Sequence, residues 1–360
     1  MRQIRLHHSL WLLACVLGWT IAMPFSAEAS CGSTSCFLTI PNQPTSQPKG
    51  VARVDLNYSY IPQTGPQNRV AAVDVEGQRQ ILGEHQEFQT INHLMQMIVN
   101  YGVTDAFTVQ LLVPMLFRDH DHRIEVGEEP ESDANNIGRG VFENFDTAGL
   151  GDIRLMGRYA ILPTLRSLVV LSAGVDFPTG NFEARNNEGK IQEPTLQNGR
   201  GDFGVVGQIY QAYELIPHRL TQFASYTYQH TFENKFQYQF GDTHILNAGL
   251  NFLVNSTITL SGQINYTYRV HDTFAGNLEQ AGPVGASAEP TVLSSLVLDR
   301  PVRNTGFTNL MFSPGIILNL GDNTRFYFFA QAPLVQDYNG GLEQGVSYLT
   351  GFARFFQIGT

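Results

Sequence analysis

The sequence predicts an all-β chain, an antiparallel transmembrane β-barrel of about 12 strands, with 10 or 14 as the alternatives. Three observations predict it. Apolar and polar residues alternate with a period of two through about a dozen segments, which marks strands with one apolar and one wet face. The links between these segments alternate strictly between short and long, as in bacterial outer-membrane barrels with short periplasmic turns and long outer loops. Aromatic residues fall at both ends of the apolar faces, at the heights where membrane interfaces hold amphipathic rings.

Residues 1–29 read as a secretory signal peptide. Arg2 and Arg5 precede an apolar core from Leu10 to Met23, and Ala27-Glu28-Ala29 supplies the small-residue cleavage pattern. Beyond it no apolar run approaches the roughly 20 residues that a membrane-spanning helix needs. Residues 30–50 form an expected periplasmic segment that ends in the flexible lead-in QPTSQPKG. Its CGSTSC places Cys31 and Cys36 close enough for a local disulfide in an oxidising compartment. A lipid anchor on Cys31 is the rival, although Glu28 stands where that signal wants an aliphatic residue. For a metal, no nearby histidine or further cysteine completes the ligand set.

The barrel is expected over residues 51–356. In the first strand Ala52, Val54, Leu56, Tyr58 and Tyr60 alternate with Arg53, Asp55, Asn57 and Ser59. Further strands start near Phe88, Asp105, Leu150, Ser167, Gly201, Arg219, Asp242, Ser256, Asn304, Thr324 and Gln344. The stretch NYGVTDAFTVQLLVPML predicts a hairpin: a glycine-containing turn, then a strand with Phe107, Val109, Leu111 and Val113 outward and Pro114 at its top. The clearest alternation sets Ile258, Leu260, Ile264, Tyr266 and Tyr268 against Ser261, Gln263, Asn265 and Arg269. Pro62, Pro178 and Pro333 are also expected at strand tops, since a closed barrel confines proline to rims and bulges. Residues 357–360 form a tail after Phe356, where an aromatic residue usually ends such barrels.

The formal charge of −10 argues against nucleic acid as a partner. The expected partners are outer-membrane lipids and small solutes, with a homo-oligomer or a periplasmic partner left open. No cofactor is expected, and the expected location is the outer membrane, reached through the periplasm.

Several stretches resemble the outer-membrane barrel family of meta-pathway (MetA) phenol-degradation proteins, often labelled transporters. They are YGVTDAFTVQLLVPM from Tyr101, GLGDIRLMGRYAIL from Gly149, AGVDFPTGNF from Ala173 and the GFARFF near the end. The resemblance implies an outer-membrane channel-like protein, with passage of small compounds, aromatic ones among them, as the proposed role. It carries no catalytic residues over to this chain.

Parity places Arg53, Asp55, Arg154, Arg158, Asp176, Gln208, Gln263, Asn265, Arg269 and Arg325 on the inward face. Two readings follow: a conduit whose arginine excess favours anionic solutes, or an ionic network that stiffens a nearly filled barrel. The run RDHDHR is read as the opening of a solvated acidic loop. Its alternative is a divalent-cation set of Asp119, His120, Asp121 and His122. An enzyme is not expected. His93, His230 and His244 with Ser225 or Ser261 show no spacing that builds a triad. A structural barrel, or a seat for a periplasmic partner, is the other non-transport reading.

Overall fold

The computed structural model describes residues 46–64, 73–75, 78–80, 85–125, 140–144, 146–161, 163–184, 194–274, 305–338 and 342–358. The expected signal peptide, Cys31 and Cys36 lie outside the described residues, as does the side chain of His122.

Twelve antiparallel staves close on themselves. They are β1 Val51–Gln63, β2 His85–Gly102, β3 Phe107–Glu125, β4 in two pieces, Thr147–Leu150 and Ile153–Ala160, β5 Ser167–Phe177, β6 Gly204–Ile216, β7 Leu220–Thr231, β8 Thr243–Leu253, β9 Ile258–Arg269, β10 Phe307–Asn319, β11 Thr324–Asp337 and β12 Ser347–Gln357. Each pairs with its sequence neighbours, and β1 pairs with both β2 and β12, Val51 opposite Gln357 and Tyr60 opposite Tyr348. No edge is left in the wall, so its backbone donors and acceptors are met by the ladder, as a membrane-spanning sheet requires.

Side-chain parity explains why this sequence forms this wall. On β9, Leu260, Ile264 and Tyr268 are exposed outward while Ser261, Gln263, Asn265 and Arg269 are buried inward. On β1, Leu56 is exposed, whereas Arg53 and Asp55 are only 2% and 0% accessible. Aromatic girdles lie at both ends. Tyr101, Tyr159, Tyr213 and Phe252 are exposed near the short turns. At the other end His93 sits between Tyr58 and Tyr60, and His244 among Tyr226, Tyr228 and Tyr268. Their tyrosine hydroxyls share hydrogen bonds with the ring nitrogens, at 2.6 Å for Tyr58 and His93 and 2.8 Å for Tyr226 and His244.

The short turns reuse one piece of chemistry. Thr104 Oγ1 accepts from the backbone N–H groups of Ala106 and Phe107, Thr164 Oγ1 from Arg166 and Ser167, and Asn255 Oδ1 from Thr257 and Ile258. A side-chain oxygen at the turn's start thus replaces the ladder where it ends.

Two expectations need correction. Pro114 is not at a strand top, because β3 runs on to Glu125 and Pro114 lies opposite Gln96 in its middle. On the other side β3 meets the break between the two pieces of β4, where Gly151 N–H donates to the Pro114 carbonyl at 2.9 Å. The N and O of one residue point the same way across an antiparallel ladder, so the missing N–H of Pro114 faces this interruption and costs no ladder bond. Pro333 likewise sits beside the register shift between β10 and β11.

The second correction concerns RDHDHR, which is strand rather than loop. Pairing of β3 with β2 as far as His85 opposite Ile124, and with Gly140–Asn144, keeps this backbone extended. Extension fixes parity: Arg118 and His120 are buried inside, and Asp119 and Asp121 leave from the other face.

Candidate functional site

The inward face carries charge at two heights. Near the short turns, Arg53 Nη2 donates to Asp55 Oδ1 at 2.6 Å, with both side chains buried. Arg53 and Arg325 flank the Phe355 ring at 5.5 and 5.1 Å from its centroid. Arg158 donates to Gln110 Oε1 at 2.7 Å, and Gln110 passes the chain on to Asn100 Oδ1 at 2.9 Å. Asp55 thus stands in the field of Arg53, Arg158 and Arg325.

Beside this network the interior is packed. Ile317, Tyr327, Phe329, Leu349 and Ala353 form one buried cluster, and Ala160, Val170, Tyr210 and Phe223 another. Phe329 lies across Gly315 and Tyr327 across Gly351, so close that an added Cβ would meet each ring within 2.5 Å. Glycine at 315 and 351 is what lets these rings lie flat against the wall. Midway along the wall, Ser313 Oγ donates to Asn265 Oδ1, Asn265 Nδ2 to Asn247 Oδ1, and Asn247 Nδ2 to Ser225 Oγ, at 2.7, 2.5 and 3.2 Å. Gln263 is buried on the same face.

Toward the long loops a second cluster forms. Arg154 grips Asp176 in a two-pronged pair, Nε to Oδ1 at 2.5 Å and Nη2 to Oδ2 at 2.9 Å, and Gln229 donates to Asp176 Oδ2 at 2.8 Å. Arg269 Nη2 donates to Asp272 Oδ1 at 2.6 Å, and the Tyr238 hydroxyl donates to Asp272 Oδ2. Arg118 bridges Asn92 Oδ1 and the Thr195 carbonyl at 2.8 and 3.0 Å.

The Thr195 contact belongs to an outer loop that turns into the barrel. After β5 the chain forms a tight neck where Gly180 and Gly199 press together. A Cβ on Gly199 would stand 2.4 Å from the Gly180 carbonyl oxygen, and one on Gly180 2.6 Å from the Gly199 Cα. Asp152, in the break of β4, ties both sides of the neck, accepting from the backbone N–H groups of Gly180 and Arg200 at 3.0 and 2.9 Å. Between them a short 3₁₀ turn, Pro194–Leu196, is buried inside, and Thr147 Oγ1 donates to its Leu196 carbonyl. Gly199→Ala is expected to force this neck apart at a cost of about 1–3 kcal/mol. Faster proteolytic cleavage within residues 180–199 of the folded barrel checks it.

Under this loop lies a cavity of about 70 Å³. Arg154, Arg200, Arg269, Asp152, Asp176, Gln229, Gln197, Thr195 and Asn198 supply its polar wall, and Leu112, Pro114, Leu116, Pro194 and Phe240 its apolar one. Arg200 and Arg269 both lie over Phe240, at 5.9 and 5.3 Å from the ring centroid. Desolvation lowers the Arg200 guanidinium to about 10, which leaves it charged at neutral pH.

All the residues chosen by parity face inward, but they divide between the two heights. Arg53, Asp55, Arg158 and Arg325 gather near the short turns, Arg154, Asp176 and Arg269 near the loops, and Gln208, Gln263 and Asn265 on the wall between. The pairing of Arg154 with Asp176 is a cross-strand contact that parity alone does not give. Sequence reasoning missed Arg118, whose even parity with Gln110 was the available signal, and also Arg200, Asp152 and Asp272, which lie outside the strands. Of the four residues of the cation-set alternative, His120 faces inward and shares a hydrogen bond with Thr90 at 2.7 Å, Asp119 and Asp121 face outward, and the side chain of His122 lies outside the described residues. Among the described residues, no three histidine, cysteine, aspartate or glutamate side chains come together as a metal site would need. His230 pairs with Asp242 at 2.6 Å on the girdle side, while Ser225 and Ser261 face the interior.

No protein-family model matches the chain, and no curated protein matches it. Among solved structures, the COG4313 outer membrane channel from Pseudomonas putida F1 is similar over 89% of this chain and 100% of its own, with a TM-score of 0.59 and 12% identity. The NanC porin (TM-score 0.42, 9% identity, 84% of this chain and 98% of its own) and the CymD monoaromatic hydrocarbon channel (0.36, 9%, 87% and 90%) are more distant. The first likeness agrees with the wall described above: the fold is that of a bacterial outer-membrane β-barrel.

Proposed function

We propose that the protein is an outer-membrane channel that passes small solutes passively along a narrow, polar lumen in which, among the described residues, arginine outweighs aspartate. The observation that carries this reading is the inward face itself. At the lower height Arg53, Arg158 and Arg325 surround Asp55, and at the upper height Arg118, Arg154, Arg200 and Arg269 stand with Asp152, Asp176 and Asp272. A barrel that served only to fill a membrane gains nothing from burying so many charges, since each costs several kcal/mol to desolvate. An excess of fixed positive charge does serve a path for anionic or polarisable solutes. The in-turned loop and the packed lower half keep the path narrow. The stretches that resemble the MetA family support the same class of function, with aromatic compounds among the solutes, and no enzymatic role is part of the reading.

Single-channel recording in a planar bilayer under a salt gradient tests it. Discrete conductance steps with anion preference are expected, and the preference should shift toward cations when Arg154 and Arg158 are both changed to glutamine. A folded but silent barrel would remove the passage reading. The second reading, a stiffened structural barrel, draws on the close packing around Tyr327 and Phe329. It expects the same double substitution to lower stability and to leave no current to measure.

A further inference from the structure

From the cavity beneath the in-turned loop we infer a binding site for a small monocarboxylate, with its carboxylate held by Arg200, Thr195 and Asn198 and its short aliphatic body against Leu112, Pro114 and Phe240. The inference deepens the passage reading by naming a solute class.

Charge balance is the first support. Among the described residues of the upper cluster, Arg154 is taken by Asp176 and Arg269 by Asp272. Among the described residues no carboxylate stands within ion-pair distance of the Arg200 guanidinium, although the charges of Asp176 and Asp152 reach it. Its Nη1 donates to Thr231 Oγ1 at 2.9 Å, and its face lies over Phe240. A half-buried guanidinium with donors left over is a ready partner for the two oxygens of a carboxylate, whose geometry it matches.

The second support is independent of charge. Thr195 and Asn198 both line the cavity and are only 6% and 8% accessible, yet Thr195 Oγ1 and Asn198 Oδ1 have no hydrogen-bond partner. Buried polar atoms are nearly always satisfied, by protein or by something bound, so two orphans on residues that line one cavity mark a place for a polar ligand. The Thr195 hydroxyl can donate to an anion, and so can the Asn198 side chain once its amide is turned over.

The third support is size and shape. About 70 Å³ is far below the several hundred Å³ of pockets for drug-sized ligands. The apolar wall from Leu112, Pro114 and Phe240 gives a short hydrocarbon body a surface that an inorganic anion would not use.

Calorimetric titration of the folded full chain in detergent with sodium propionate, at constant ionic strength and with propionamide as the neutral isostere, tests the site. Propionate is expected to bind and propionamide to be inert. Arg200→Gln should weaken propionate about tenfold or more, and Thr195→Val, which keeps the shape and removes only the hydroxyl, by a few-fold. If Arg200→Gln fails to fold, Arg200→Lys together with Thr195→Val decides: weakened binding in both supports the site. Equal binding of propionamide, or unchanged propionate affinity in the variants, overturns it. Propionate conduction in a bilayer separates the two proposals. Binding without conduction keeps the site and removes passage, and conduction without binding removes the site alone.

Discussion

Replacing Asp55 by alanine is expected to destabilise the barrel by about 3–5 kcal/mol, the penalty for stranding buried charges whose partner has been removed. Arg53 loses its 2.6 Å ion pair in surroundings that leave it 2% accessible, and Arg158 and Arg325 lose a carboxylate whose field reaches both. The three guanidiniums then repel one another across the interior. Urea unfolding, followed by the mobility difference between folded and boiled protein on a gel, reads the effect. Asp55→Asn is the informative companion, because it keeps shape and hydrogen-bonding capacity while removing charge. If the loss arises from charge, both variants fall by similar amounts. If Asp55 matters mainly as an acceptor for Arg53, the asparagine recovers a large share. Any current through either variant should also be more anion-selective than through the parent, since the lower constriction becomes more positive.

Ile264→Arg is expected to cost about 2–4 kcal/mol, the measured range for a cation placed on the lipid face at the bilayer midplane. Ile264 lies near the middle of β9, opposite Phe312 and Ala248, and is exposed on the wall's outer surface. The same change at Tyr268, four residues along the same face and at the girdle, should cost about 1 kcal/mol or less, since cost falls toward the interface. That depth dependence separates a membrane wall from the face of a soluble sheet. On a soluble sheet the exposed position would accept arginine with little change, and height along the strand would not matter. Refolding both variants into lipid vesicles and measuring their unfolding in denaturant gives the two numbers.

Much of the wall was legible because strand parity and link length are local properties. The expected starts at Val51, Ser167 and Thr324 coincide with the ends of β1, β5 and β11, and Arg219, Asp242 and Ser256 fall within two residues of β7, β8 and β9. Where the expectation failed, the deciding contact was distant in sequence. Pro114 looked like a strand end until the break in β4, some 37 residues later at Gly151, supplied the interruption that accommodates it. RDHDHR looked like a loop because its polarity is high on both faces, and only the lengths of β2 and of Gly140–Asn144 hold it extended. The candidate cavity was less legible still. Its wall residues Arg154, Asp176 and Arg269 follow from parity, but Thr195, Asn198 and Arg200 come from a loop whose inward course depends on Asp152 and on two glycines pressed together across the neck. No period in the sequence marks such a fold-back.

The pairing of Val51 with Gln357 bears on how the molecule is made. Every other seam in the wall joins strands that follow one another along the chain, so those hairpins can zip as soon as both halves exist. The last seam joins the first stave to the twelfth, with the highest loop-closure entropy in the molecule and no local contact to nucleate it. Until it forms, β1 and β12 both present bare ladder groups that invite pairing with a second chain. Assembly should therefore pass through an open, self-adhesive sheet, and the slowest step should be the meeting of its two ends.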